Sequence, residues 1–180
     1  MQKEITIPAT EFYDERTNEF VEIKEQTIVI KHSLVSLSKW EAKWHKPFLS
    51  NVQKTWEESI DYVRWMTLTQ KVNPLVYNAI TPDMFEEINA YIDDPMTARK
   101  FREDENRGRG ELITSELIYY WMITLGIPME CQKWHLNRLL ALIRLCSIKN
   151  TPPKKGNTLS ALQQRSALNA SRRKALHSRG

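Results

Sequence analysis

TSELIYYWMITLGIPMECQKWHLNRLLALIRLCSI, residues 114–148, is the stretch whose reading decides the fold. Thr114 or Ser115 can cap a helix over Glu116–Leu125, because a side-chain oxygen there satisfies an amide that the first turn leaves free. Gly126 stops that helix, since glycine enters left-handed backbone at little cost. Pro128 starts the next one, where its missing N–H is harmless. In this second helix Trp134, Leu136, Leu139, Leu140, Leu142, Ile143 and Leu145 crowd one broad side, with Arg138 and Arg144 facing out. Helix, glycine, short turn, proline and helix together describe an αα-hairpin.

Helical signals also fill the region before the hairpin. Thr81 caps a helix entered through Pro82, with Met84, Ile88, Tyr91 and Ile92 as its apolar stripe. Pro74 likewise suits a first turn. Thr55 opens a helix with Glu57 and Glu58 in its first turn, where the dipole favours acids, and Trp56, Ile60, Val63 and Met66 supply its apolar side. Ser33 caps the earliest helix, on which Leu34, Leu37, Trp40 and Trp44 share a face. Glu41, Lys43 and Lys46 fall off that stripe and are expected in water, and Pro47 ends the helix.

The first thirty residues change period. Lys3–Ile7 alternates polar and apolar, and Pro8 limits it to an edge or an end. Phe20–Ile23 and Thr27–Ile30 are rich in strand-forming residues, and residues 14–18 read as a turn between Phe12-Tyr13 and Phe20-Val21. The expected fold is mainly α, with a small N-terminal antiparallel β-hairpin or sheet, a C-terminal αα-hairpin and a basic helical tail. Residues 1–150 form a single α-rich domain. Residues 151–180 form a basic linker and tail, with 151–157 as the linker. Residues 97–110, charged and with two glycines, read as a mobile connection.

Charge is lopsided. No Asp or Glu follows Glu130, whereas Lys133, Arg138, Arg144, Lys149, Lys154, Lys155, Arg165, Arg172, Arg173, Lys174 and Arg179 do. Fifteen of the 26 basic residues and all 22 acidic ones lie in residues 1–130, which therefore sum to −7. Such a tail is either an interaction arm for an anionic partner or a solvated face. Lys154, Lys155, Arg165, Arg172, Arg173, Lys174 and Arg179 are its candidate contacts. No aromatic residue interleaves with them, so stacking on single-stranded nucleic acid is not supported, and nucleic acid is not the expected partner.

Two cysteines, Cys131 and Cys146, cannot make a disulfide scaffold. The opening MQKEITIP has no apolar core of a signal peptide, and no stretch has the run of about 18 apolar residues that a membrane span needs. A cytoplasmic chain with reduced thiols is expected.

Catalytic and metal constellations read as structural. Cys131 and His135, at i and i+4, fall on one face of a continuous helix, and Cys146 lies some three turns beyond. A metal would need further ligands such as His32 or His45, so no metal and no cofactor is expected. The same spacing sets Cys131 and His135 side by side without a third group, which argues against nucleophilic catalysis. Glu57-Glu58, Glu86-Glu87 and Asp93-Asp94 are neighbours pointing about 100° apart on helices, better as solvated faces than as catalytic dyads. No nucleotide-binding, serine-hydrolase or zinc-protease motif is present, so the chain reads as a non-enzyme.

One cluster resists a purely structural reading. Tyr119, Tyr120, Trp121 and Met122 are consecutive and large, and they cannot all face inward from one helix. Those left outside are candidate client-binding or self-association anchors.

HSLVSLSKWEAKWHKPFL (residues 32–49), ITSELIYYWMITLGIPMECQKWHLNRLLALIRLCSIKN (113–150) and the ending RSALNASRRKALHSRG resemble the tail assembly chaperone family of long-tailed bacteriophages, encoded in tail-gene clusters. The resemblance implies a non-enzymatic factor in the host cytoplasm. It would bind the helical tape measure protein, and in some cases the tail tube protein, before the tube polymerises. A longer, frameshifted form is common in such factors, and PPKKG (152–156) permits one. The competing expectations are a virion structural protein of the tail or head–tail connector and a basic-tailed nucleic-acid-binding regulator.

Overall fold

The computed structural model describes residues 2–14, 18–99, 112–150 and 158–176. The expected connection at 97–110 and linker at 151–157 fall largely or wholly outside them. The chain divides into two compact units, Met1–Cys146 and Ser147–Gly180.

The fold is mainly α with a small antiparallel N-terminal β element, as the sequence predicts. Strands β1 (Lys3–Ile7), β2 (Thr10–Asp14), β3 (Glu19–Ile23) and β4 (Gln26–Ile30) form two nested two-stranded ladders. The inner hairpin pairs β2 with β3, Phe12 opposite Val21, and the outer ladder pairs β1 with β4, Ile5 opposite Ile28. Alternation decides which side is buried: Ile5, Ile7, Ile28 and Ile30 face inward while Glu4, Thr6 and Thr27 face water. A short bridge joins Ile30 to Thr67, reinforced by Lys31 N–H donating to the Met66 carbonyl at 2.8 Å.

The helices follow their caps. Ser33 and Ser36 form a capping box at the start of α1 (Leu34–Trp44), which ends at His45 in left-handed backbone with φ 52°. Thr55 and Glu58 form another at the start of α2 (Trp56–Met66). Asn73 caps a 3₁₀ helix over Pro74–Ala79, and Thr81 caps α3 (Pro82–Asp93). Thr114 caps α4 (Ser115–Thr124), and Gly126 follows it at φ 66°.

Beyond Gly126 the second helix starts later than expected. Residues Met129–Lys133 form a 3₁₀ turn, and α5 (Leu136–Asn150) starts only after Trp134 and His135. A tertiary bond accounts for the break: the Leu136 N–H donates to the His32 carbonyl at 3.0 Å instead of to a preceding turn. Cys131 and His135 therefore do not share a helix face.

Two apolar clusters fill the Met1–Cys146 unit. The first joins Ile5, Ile7, Ile28 and Ile30 of the strands to Val63 and Met66 of α2 and Ile88 of α3. The second joins Leu34 and Leu37 to Ile118, Met122, Leu136 and Leu139. Helix α1 is the wall between them: Trp40 belongs to the first cluster and Leu34 and Leu37 to the second, so the single stripe expected on α1 is shared between two cores.

Glu41 and Glu58, both expected in water, are inside, and so is Asp61. Glu41 is buried and accepts the Phe48 N–H at 2.8 Å and the Ser115 N–H at 2.7 Å. Glu58 is buried, accepting the Thr55 N–H at 2.9 Å and the Lys46 ammonium, whose bonds hold its carboxyl below the usual range. Asp61 accepts from Lys43, Trp44 and Trp65 at 2.8, 2.9 and 3.1 Å. Burial pushes its carboxyl up, but these donors outweigh that and leave it below its ordinary value.

The last helix, α6 (Thr158–Leu176), lies in the second unit, and its described side chains are exposed. A helix whose described side chains all face water contributes little apolar burial. Deleting residues 151–180 is therefore expected to leave the thermal midpoint of the remaining chain within about 2 °C of the full chain. A larger drop in a thermal melt would mean that the tail packs as core.

Candidate functional site

Helix α4 is fixed from two directions. At its start the Glu41 carboxylate of α1 takes the Ser115 N–H, placing negative charge where the helix dipole is positive. Along its inner side Ser115, Ile118 and Met122 repeat at helical spacing and are buried. The Tyr119 hydroxyl donates to Gln132 Oε1 at 2.9 Å, tying α4 to the 3₁₀ turn, and burial raises the phenol above its ordinary value. Trp121 and Leu125 pack partly against the same cluster.

What remains faces solvent. Tyr120 is 60% exposed and Ile123 70%, three residues apart on one face beside Glu116. The four expected anchors therefore separate. Met122 is core and cannot be an anchor, because its side chain has no accessible surface. Tyr119 and Trp121 are half-buried and already engaged. Tyr120 alone of the four is free on the surface. Ile123 belongs to the same face and was not among the expected anchors, although its position one helical turn past Tyr120 is the signal that finds it. Leu112 and Ile113, just before α4, are also exposed.

Of the basic tail, Arg165, Arg172 and Arg173 are exposed on α6. Lys174 lies in the same helix, while Lys154, Lys155 and Arg179 lie outside the described residues.

A second constellation is buried between the helices of the first unit. His32 donates its backbone N–H to the Tyr91 hydroxyl at 3.3 Å, and its Nδ1 meets the Tyr62 hydroxyl at 2.7 Å. His135 Nε2 donates to the Tyr91 carbonyl at 3.1 Å, which leaves Nδ1 as the unprotonated nitrogen, buried and without a partner among the described residues. The two imidazoles stand edge to face with centroids 5.1 Å apart. Burial, with the nearby His135 adding to it, pushes His32 down to about 3, and burial likewise lowers His135. Both rings are thus neutral at pH 7.

His32, named as a potential extra ligand, does approach His135, yet Cys131 and Cys146 add no third donor. Among the described residues no group of three or more His, Cys, Asp or Glu side chains could hold a metal ion. The arrangement offers neutral hydrogen-bonding groups and exposed apolar anchors. Compared with known proteins, the chain matches no family model, no curated sequence and no solved structure.

Proposed function

We propose that this chain is a tail assembly chaperone of a long-tailed bacteriophage, a non-enzymatic factor that holds the tape measure protein in the host cytoplasm until tail tube subunits assemble around it. The resemblance described above supplies the identity of the client. The observation that carries the reading physically is the outward face of α4, where Tyr120 and Ile123 stand exposed on a helix otherwise locked into the core. A tape measure protein presents long apolar helical stripes that would aggregate if left uncovered. A rigid helix with two large exposed side chains is suited to helix-on-helix capture of such a stripe. The exposed arginines of α6 add attraction for an acidic client.

The test is co-expression of the tape measure protein with and without this chain. The expected result is a soluble complex that forms only when both are present. Replacing Tyr120 and Ile123 together with Ala is expected to weaken binding by more than about 2 kcal/mol, since exposed anchors of this kind dominate interface energies. Helical content measured by circular dichroism should not change. A client equally soluble alone would remove the chaperone reading. Recovery of the chain from purified virions would then favour a structural role.

A further inference from the structure

A cavity of about 400 Å³ opens among α2, α3, the start of α5 and the segment after α1. That volume lies in the range of small-molecule pockets. Phe48, Leu49, Val63, Phe85 and Ile92 supply its apolar walls, and Ser50, Ser59, Asn89 and Asn137 stand among them. Two nitrogen groups of the lining, on His32 and Lys54, meet no acceptor among the described residues. The first is His32, 1% exposed, whose Nδ1 is taken by Tyr62 while its Nε2 makes no hydrogen bond to any described residue. In the tautomer in which the Tyr62 hydroxyl donates to Nδ1, Nε2 carries the hydrogen and is a donor. The second is Lys54, whose Nζ rests 4.4 Å from the Phe48 ring centroid with no carboxylate at ion-pair distance among the described residues. The nearby Glu58 carboxylate is already engaged by Lys46 and Thr55.

We propose that this cavity is a binding site for a small molecule with an apolar, ring-sized body and a carboxylate, the carboxylate meeting Lys54 and the His32 Nε2 donor. The body lies against the aromatic and aliphatic walls, much as Phe48 already stacks on Tyr62 with ring centroids 3.9 Å apart. Desolvation lowers the Lys54 ammonium from its ordinary value, so an incoming anion would restore what burial removes. Asp93, the one acid of the lining, is exposed in the last turn of α3, and it disfavours a ligand that presents its carboxylate at that side. The site is independent of the α4 face, so its failure would leave the chaperone reading intact.

The test uses the full chain and three probes of one shape: phenylpropionate, phenylpropanol and phenylpropylamine. Calorimetric titration is expected to give the acid an affinity about ten-fold above the alcohol, the size of one charge-assisted hydrogen bond, with the amine weakest. The His32 ring resonances should shift with the acid. Lys54→Gln, at a position ahead of the α2 cap, should bring the acid down to the affinity of the alcohol. Equal affinities for the three probes, an acid preference that survives Lys54→Gln, or no saturation by the acid up to about 10 mM would each overturn the proposal.

Discussion

Replacing Glu41 with Ala should destabilise the protein by about 3 kcal/mol, because the substitution strands two amides that its carboxylate now satisfies at charge-assisted strength. Those amides belong to Phe48, in the segment leaving α1, and to Ser115, the first residue of α4. The carboxylate has no basic partner at ion-pair distance among the described residues, so its charge is held by backbone dipoles and the positive end of α4. Glu41→Gln keeps the shape and one acceptor, and it should cost about half as much. Urea denaturation of the three proteins measures this. A loss below about 0.5 kcal/mol for the alanine variant, the level of an ordinary surface substitution, would place Glu41 in water and undo the link between α1 and α4.

Acid should destabilise the protein well above the carboxylate range. The unfolded chain takes up a proton on His32 near its ordinary value of 6.5, whereas the folded chain resists until about 3. The unfolded state therefore binds more protons through that interval. Stability is fully present above the unfolded value and is lost as pH falls, at a rate approaching about 1.4 kcal/mol per pH unit. His135 is lowered by burial and acts in the same direction. Glu58 and Asp61, both held below their ordinary values, add to the loss only at lower pH, where carboxyls protonate. Denaturant midpoints measured from pH 7.5 to 4.5 should fall steadily, and His32→Gln should flatten that slope whatever it does to stability at pH 7.5. A slope unchanged by the substitution would show that the imidazole is not buried neutral.

Much of this architecture was legible because its signals are local. Ser33, Thr55, Thr81 and Thr114 each carry a hydroxyl one residue before an apolar repeat, and each caps a helix. The alternation of Ile5 and Ile7, and of Ile28 and Ile30, sorts the strand faces without any tertiary information. Apart from Ile123 and the Thr55–Glu58 capping box, whose signals are local, the missed features rest on contacts between segments apart in the chain. A lone glutamate beside Trp40 reads as solvated, since its two amide partners lie elsewhere in the chain. The continuous helix expected after Pro128 fails because the His32 carbonyl captures the Leu136 amide. The α4 anchors were half legible: crowding of four large residues requires that some face outward, but only the packing of Met122 against Leu34 and Leu37 in one cluster settles which.

His32 also bears on the order in which the chain can become native during synthesis. Its ring awaits Tyr62, its amide awaits Tyr91, and its carbonyl awaits Leu136. A nascent chain that has emerged only through α3 can form the strand ladders and the first apolar cluster, yet the His32 carbonyl then has no partner. The second cluster, which covers Leu34 and Leu37, likewise has to wait for α4 and α5. Until then one side of α1 remains sticky and in need of cover, so the protein passes through the same predicament during translation that it is proposed to relieve in its client.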